Sequence, residues 1–420
     1  MEIIHTSDLH IVPEVFYDTV LEEAYYNVLR EIVEKTIESK SKYLVISGDM
    51  FDRSNPPLSV VAKTVGLLRE LREHEVRVVV VPGNHDVSRT RSSILHVLSE
   101  AGLIHLLDFN EANGLVLEPL VFERDKLVFY GIPGFKGSSS QEIEYLKQRK
   151  VIFKNYSSYK DYNLIILAHI STRFAGYDPS KYANRYGSLY LEYEDLLNRL
   201  PSNTIYVALG HIHLPIPFDM EFKGNIAYPG APIGFDFNDL YETYELNKIN
   251  VFRRILRVDL SRQPPVVKSI KLEAVPRVYY KRIDAKSIDD VKEQVVRIFS
   301  DIDASTQAVL LVDAVGLDKP TSELENFRRE LMKKKKVFIR IRTMSKAMVS
   351  FHDNLDAGSS ISAGEISINE IESVVLREFV AKNKLKIPAE KLKIVIDTLG
   401  HSQDISPERL LDEIIKELGD

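Results

Sequence analysis

The chain has 420 residues, 44% of them hydrophobic and 28% charged, with a formal net charge of −6 at pH 7. That length favours two or three domains, and the composition is that of a globular protein rather than a disordered one. The absence of Cys excludes disulfide frameworks, thiolate metal sites and cysteine nucleophiles, and the negative balance leaves no global positive field, so any contact with phosphates has to be local.

From the first residues the chain reads as a strand, Glu2–Ser7, with no leader-like apolar stretch. No run approaches membrane-spanning length, so a cytoplasmic protein is expected. Further strands are predicted at Tyr43–Ser47, Arg77–Val81, Leu127–Ile132, Asn163–Ala168 and Thr204–Leu209. Between them Leu21–Glu38, Leu58–Arg72 and Ser92–Ala101 space their apolar residues three and four apart, as helices with one buried face do. This alternation is the mark of a layered α/β domain, expected over residues 1–265. After the break at Gln263-Pro264-Pro265 a smaller α+β unit follows, expected over 275–350: strand Val278–Ile283, helix Ile288–Ser300, strand Ala308–Asp313, helix Leu324–Lys334 and strand Val337–Arg342. A Ser, Gly and Asp-rich stretch reads as a linker at 351–366. Three short helical patterns then make a tail over 367–420, the last beginning at Ser406-Pro407.

The candidate chemistry lies where the strands end. Asp8-Leu9-His10 follows the first, and Gly48-Asp49-Met50-Phe51-Asp52-Arg53 the second. Pro82-Gly83-Asn84-His85-Asp86 follows the third, His169 the run Leu164–Ala168, and Gly210-His211-Ile212-His213 the run Ile205–Leu209. Any one of these reads by itself as a hydrogen-bonded structural group. Five strand ends carrying polar ligands in one orientation read as a site, because open α/β sheets keep their ligand crevices there. Carboxylate, amide and imidazole groups without thiolate suit divalent Mn, Fe, Zn, Co or Ni. Asp8, His10, Asp49, Asn84, His169, His211 and His213 are more than one catalytic ion needs, so two ions about 3.5–4 Å apart sharing a carboxylate are expected, and with them phosphoester hydrolysis.

Taken together these motifs resemble the calcineurin-like metallophosphoesterase superfamily. Thr6-Ser7-Asp8-Leu9-His10, Gly48-Asp49-Met50-Phe51-Asp52 with Pro56-Pro57, Gly210-His211-Ile212-His213 and Tyr228-Pro229-Gly230-Ala231-Pro232 are similar within it to the double-strand-break repair nucleases, the SbcD or meiotic-recombination-eleven family. The resemblance implies a four-layer α/β/β/α core, a small α+β capping domain and a helical C-terminal tail. It implies Asp8, His10, Asp49 and His213 around one ion and Asp49, Asn84, His169 and His211 around the other, with Asp49 as bridge and Mn2+ as the metal. His85 matches the catalytic histidine, which stabilises developing charge and helps protonate the leaving oxygen. The implied activity is 3′ to 5′ exonuclease action on duplex DNA ends together with single-strand endonuclease action. The implied partners are a coiled-coil ABC-type ATPase bound through the tail and a second copy of the chain, in a nucleoid-associated protein. Candidate dimer residues are Val61, Val65, Leu68, Ile94, Leu95 and Leu98.

Two departures bear on this. Asp52 stands where part of the family has His. Arg53 resembles the phosphate-holding Arg of Ser/Thr protein phosphatases, but Ser54-Asn55-Pro56-Pro57 follows it instead of the phosphatase Gly. The basic run Lys333-Lys334-Lys335-Lys336 with Arg340, Arg342 and Lys346 reads either as a solvated helix end and strand or, with Arg53, as a DNA-phosphate surface. A phosphomonoesterase or protein phosphatase on the same site and a non-catalytic scaffold are the competing readings.

Overall fold

The computed structural model describes residues 1–344 except 12–18, 88–92, 112, 137–139, 188, 235, 304–306 and 318–320. The expected linker, the helical tail and Lys346 lie outside the described residues.

Strands β1 (Glu2–Thr6), β2 (Tyr43–Ser47) and β3 (Arg77–Val81) pair in parallel, as do β4 (Leu127–Ile132), β5 (Asn163–His169) and β6 (Thr204–Gly210). The first triplet lies within a seven-stranded sheet, continued beyond β1 by the antiparallel strands Arg254–Asp259 and Val266–Lys271, and the second within a five-stranded sheet. Every residue of β2 is buried, because both faces of its sheet are covered. Alternation along the strand decides the partners. Tyr43 and Val45 join Ile3, Val79 and Val81 against Phe129, Ile165, Leu167 and Tyr206 of the other sheet. Leu44 and Ile46 face the opposite way, into a cluster shared with helices α1 (Thr19–Glu38), α2 (Leu58–Glu73) and α3 (Ile94–Glu100). Helix α1 meets that cluster with Leu21, Tyr25, Val28, Leu29 and Ile32, spaced three and four apart. On the far side, Leu164, Ile166 and Ala168 of β5 pack with Ile143 and Leu146 of α4 (Gln141–Lys147). The order of layers is therefore α/β/β/α, as expected.

Two more helices matter for the site: the single turn α5 (Ala183–Tyr186) and α6 (Phe237–Lys248). Sequence periodicity predicts no element between Leu209 and Gln263, yet α6 and the strand Arg254–Asp259 lie there. The signal is weakened because several of the buried positions are polar. Asp239 and Thr243 occupy the inner face of α6, and fully buried Arg254 donates to the carbonyls of Pro217 and Asp219.

The remaining unit is a parallel sheet of β7 (Arg277–Asp284), β8 (Ala308–Val315) and β9 (Val337–Met344), crossed by α7 (Ile288–Asp301) and α8 (Ser322–Met332). One face packs on those helices through Leu310, Val312 and Ile339. Val309, Leu311 and Phe338 on the other face enter the cluster under α1. Residues Met1–Ser345 pack as one compact unit.

Candidate metal centre

The parallel strands bring their C-terminal ends to one place, and all seven expected ligand residues meet there. Asp8, His10, Asp49, His169 and His213 are buried. Ligand atoms of Asp8, His10 and His213 lie within 4.8 Å of one another, and those of Asp8, Asp49 and His169 do likewise. Asn84 joins through Oδ1, 3.0 Å from His169 Nε2, and His211 through its ring, 5.0 Å from that of His169. The Asp49 Oδ2 atom lies 3.2 Å from His169 Nε2 and 3.6 Å from His10 Nε2, so one carboxylate oxygen faces both groups of ligands.

Which nitrogen each imidazole offers is set by what its other nitrogen does. A carbonyl only accepts, so His169 Nδ1 donates to Ser47 O at 3.0 Å and His211 Nε2 donates to Tyr186 O at 3.1 Å. His213 Nδ1 donates to the Asp239 carboxylate at 3.0 Å. These bonds leave Nε2 of His169, Nδ1 of His211 and Nε2 of His213 with lone pairs. His213 Nε2 then stands 3.2 Å from His10 Nε2, and His169 Nε2 has the oxygens of Asn84 and Asp49 around it. Acceptors gathered this closely repel unless a cation lies among them. Bonds of about 2.1 Å at right angles set neighbouring ligand atoms about 3 Å apart, which is the spacing found. The residues fit a divalent metal centre.

The local electrostatics show a site that draws in positive charge. Burial pulls the His169 pKa down, but the charge and hydrogen bond of Asp49 and the charge of Asp8 outweigh it and raise it to about 10, so without a metal ion the ring takes a second proton at Nε2 in the place a cation would hold. Burial lowers His211 to about 3, keeping it neutral and able to ligate. Backbone bonds hold the carboxylates: His211 N–H donates to Asp8 Oδ1 at 2.9 Å and His85 N–H to Asp49 Oδ1 at 2.8 Å. Asp8, His10, Asp49 and His211 all take left-handed backbone, at φ 52°, 41°, 48° and 90°. Each such residue costs about 1–3 kcal/mol, a strain that clusters where function needs a fixed geometry. Close approach demands glycine nearby. A Cβ on Gly83 would come 2.1 Å from Asp49 Oδ1, and one on Gly210 would come 1.7 Å from Ser47 O.

His85 is a third exposed, and its Nδ1 donates to Asp52 O at 2.8 Å, which commits the Nδ1 proton to that carbonyl. Asp52 Oδ1 is 3.8 Å from His10 Nδ1 and 3.9 Å from His85 Nδ1, beside the site although sequence reading gave it no role. Asp86 has one: its carboxylate accepts the N–H groups of Met50, Phe51 and Gly83, tying the β2 and β3 loops together. Burial and the nearby Asp49 carboxylate outweigh those donors and push its pKa up to about 7. Asp239 and Arg185 also escaped the sequence reading. Nothing in their spacing marks them, because they meet His213 only through the fold.

Arg53 is half-buried in the bend after β2. The basic run is largely engaged within the molecule. Lys335 donates to the carbonyls of Phe299, Ser300 and Ile302, and Lys336 pairs with Glu23 at 3.0 Å. Arg342 pairs with Asp313 at 2.7 Å, and Lys333 with Glu330 at 2.6 Å. Lys334 and Arg340 present exposed side chains.

Carboxylate, amide and imidazole groups gathered at the ends of parallel strands in this order define a class. The profile of the calcineurin-like phosphoesterases matches residues 1–215, and the chain belongs to that family. Among curated proteins it is similar to the DNA double-strand break repair protein Mre11 of Archaeoglobus fulgidus, 24% identical over 405 residues that cover 92% of this chain and 86% of the relative. The proteins of the same name from Aeropyrum pernix, 25% identical over 77% of this chain and 75% of theirs, and from Saccharolobus solfataricus, 22% identical over 72% and 70%, are similar too. These likenesses bear out the resemblance carried by the motifs. Among the described residues no helix is long and apolar enough to cross a membrane.

Proposed function

We propose that the chain is a nuclease that processes DNA double-strand ends with two divalent ions, Mn2+ for preference. Asp8, His10, Asp49 and His213 hold one ion, and Asp49, Asn84, His169 and His211 the other. The observation that carries the reading is the position of Asp49 Oδ2 between His169 Nε2 and His10 Nε2. When bound, two such ions polarise a phosphodiester and make water nucleophilic near neutral pH.

The chain's own residues do the rest. The backbone bonds to Asp8 and Asp49 aim their carboxylates before substrate arrives, and the carbonyl and carboxylate acceptors behind the histidines keep the rings from turning. With Nδ1 committed to Asp52 O, His85 offers a protonated Nε2 to the oxygen that leaves. Exonuclease action from 3′ to 5′ on duplex ends and cutting of single strands both use this centre. The small sheet of β7 to β9 serves as the cap that guides DNA, with Lys334 and Arg340, joined by Lys333, as its exposed cations. Residues 367–420 carry the contact to a coiled-coil ABC-type ATPase, and the protein works as a homodimer on chromosomal DNA in the cytoplasm. The names of the curated relatives and the domain order support this reading over a small-molecule phosphatase.

The test is Mn2+-dependent release of mononucleotides from end-labelled duplex DNA. Turnover of p-nitrophenyl phosphate without DNA cleavage would overturn the nuclease reading in favour of a phosphatase. Replacing His85→Gln is expected to lower cleavage by 100-fold or more, of the order of general acid catalysis, while Mn2+ uptake measured by calorimetry stays at two ions. Unchanged cleavage rules out its role, and two silent proteins, wild type and variant, leave only the scaffold.

A further inference from the structure

Behind His213 lies a built arrangement that the reaction does not use directly. Asp239, in the first turn of α6, is fully buried, and both its carboxylate oxygens lie 3.0 Å from His213 Nδ1. Its charge is met from the other side by Arg185 of the single turn α5. Arg185 Nη2 also comes within 3.3 Å of His213 Nδ1, but both atoms carry protons, so the carboxylate between them is what accepts from each. Arg185 is anchored further by Glu242, one turn along α6 from Asp239, at 2.6 Å.

The same turn touches the H-I-H motif twice more. The Tyr186 carbonyl accepts from His211 Nε2, and the Tyr186 hydroxyl accepts from the His213 backbone N–H at 3.2 Å. A stretch of two residues, Arg185-Tyr186, thus contacts both histidines of the motif and, through Asp239, fixes the ring of one. Four residues cannot hold a helical turn by themselves. What holds α5 in place is the set of bonds to α6 and to the histidines.

We propose that Asp239 is a positioning residue for His213 and that Arg185 latches α5 over it, so that tight loading of the ion held by Asp8, His10 and His213 depends on this strap being closed. The inference rests on the two-ion reading above. A ligating histidine whose outer nitrogen loses its anchor binds metal about 10- to 100-fold more weakly. The Asp239→Asn exchange keeps shape and removes the charge. Arg185→Gln, on a partly exposed side chain, opens the latch and leaves the Asp239 carboxylate hydrogen-bonded to His213 Nδ1.

The experiment is Mn2+ titration of the full chain by calorimetry, with electron paramagnetic resonance of the loaded protein and thermal melting of the metal-free one. In wild type two ions are expected, with the multiline spectrum of an exchange-coupled pair. In both variants one ion is expected to bind as before and the other at least 10-fold more weakly, with the spectrum turning to that of an isolated ion. Asp239→Glu, which keeps the charge, is expected to recover part of the affinity. Two ions at wild-type affinity in Arg185→Gln and Asp239→Asn overturn the proposal. Equal weakening of both ions with a lowered melting temperature also overturns it, as the mark of a merely structural role. If Asp239→Asn does not fold, Arg185→Gln decides alone. Wild type that takes up a single ion sinks the two-ion reading itself, which separates that failure from this one.

Discussion

Glu142 shows how much a single buried group can impose on the whole. It sits in α4 at 6% exposure, accepting the Phe135 N–H, and burial pushes its carboxyl from an ordinary 4.5 up to about 7. Below pH 4.5 both folded and unfolded chains keep the proton and no dependence arises. Between 4.5 and 7 the unfolded chain releases it while the folded one retains it, so stability falls as pH rises, by up to about 3 kcal/mol. Above 7 the loss is complete and level. Glu142→Gln is expected to remove this slope and to be the more stable protein at pH 8, as read by denaturant unfolding at pH 4.5 and 8; parallel curves for the two proteins would show that the carboxyl does not titrate in this window. Such residues are poorly legible in sequence. Glu142 reads as an ordinary polar position of an amphipathic helix, and Asp239 as a helix-starting acid. By contrast Asp8, His10, Asp49 and Asn84 were legible because each follows a strand directly and so must project from its end.

At the scale of elements, the strands β1 to β6 follow the sequence reading to within a residue, since each is a short apolar run with no other way to bury itself. What the runs do not reveal is how closely their ends approach. Gly210 lets β6 come against the carbonyl of Ser47 at the end of β2, and Ser47 O in turn receives His169 Nδ1. Gly210→Ala is expected to cost at least about 2 kcal/mol, because the clash is with backbone that cannot step aside, and to weaken Mn2+ uptake at the same time. Gly66, mid-way along α2, is the control. A Cβ there meets nothing within 4 Å, and Gly66→Ala is expected to stabilise by about 0.5–1 kcal/mol. Denaturant unfolding of both variants reads the difference, and equal effects would mean that the two sheets are free to separate. The elements missed between Leu209 and Gln263 fail for a related reason: Asp239, Thr243 and Arg254 are buried polar groups whose partners His213, Arg253 and the carbonyls of Pro217 and Asp219 reach them only in the folded chain.

For the whole molecule, the question is which apolar residues serve the fold and which are left over. Leu68, Leu95 and Leu98, expected as candidates for a dimer face, are buried in the cluster under β1 to β3, and Val65 and Ile94 pack against it. On the same two helices Leu58 is 85% exposed and Val97 61% exposed. If the protein pairs through α2 and α3, these two and the half-buried Val61 are apolar contacts that remain available. The double exchange Leu58→Glu and Val97→Glu is expected to convert a dimer to monomer in sedimentation velocity, with unchanged melting of the monomer. A dimer that persists would move the interface elsewhere. The small sheet of β7 to β9 is joined to the core in a different way. Arg342 of β9 pairs with Asp313 and lies 4.1 Å over the ring of Phe237, in the first turn of the helix that carries Asp239.

The sequence by itself determined the class of chemistry and the alternation of strands and helices, and the resemblance carried by its motifs supplied the layer order. Strand ends followed by carboxylate, amide and imidazole groups are a local pattern, and local pattern is what periodicity and spacing can express. Tertiary structure alone decided that Asp49 Oδ2 faces two ligand groups, that His169, His211 and His213 each offer one particular nitrogen, and that Arg185 and Asp239 stand behind His213. It also assigned most of the basic run of residues 333–342 to ion pairs and carbonyls within the fold. Apart from the Lys333–Glu330 pair, these are choices between partners more than twenty residues apart, and a side chain's role there depends on which acceptor the folded chain brings within about 3 Å of it.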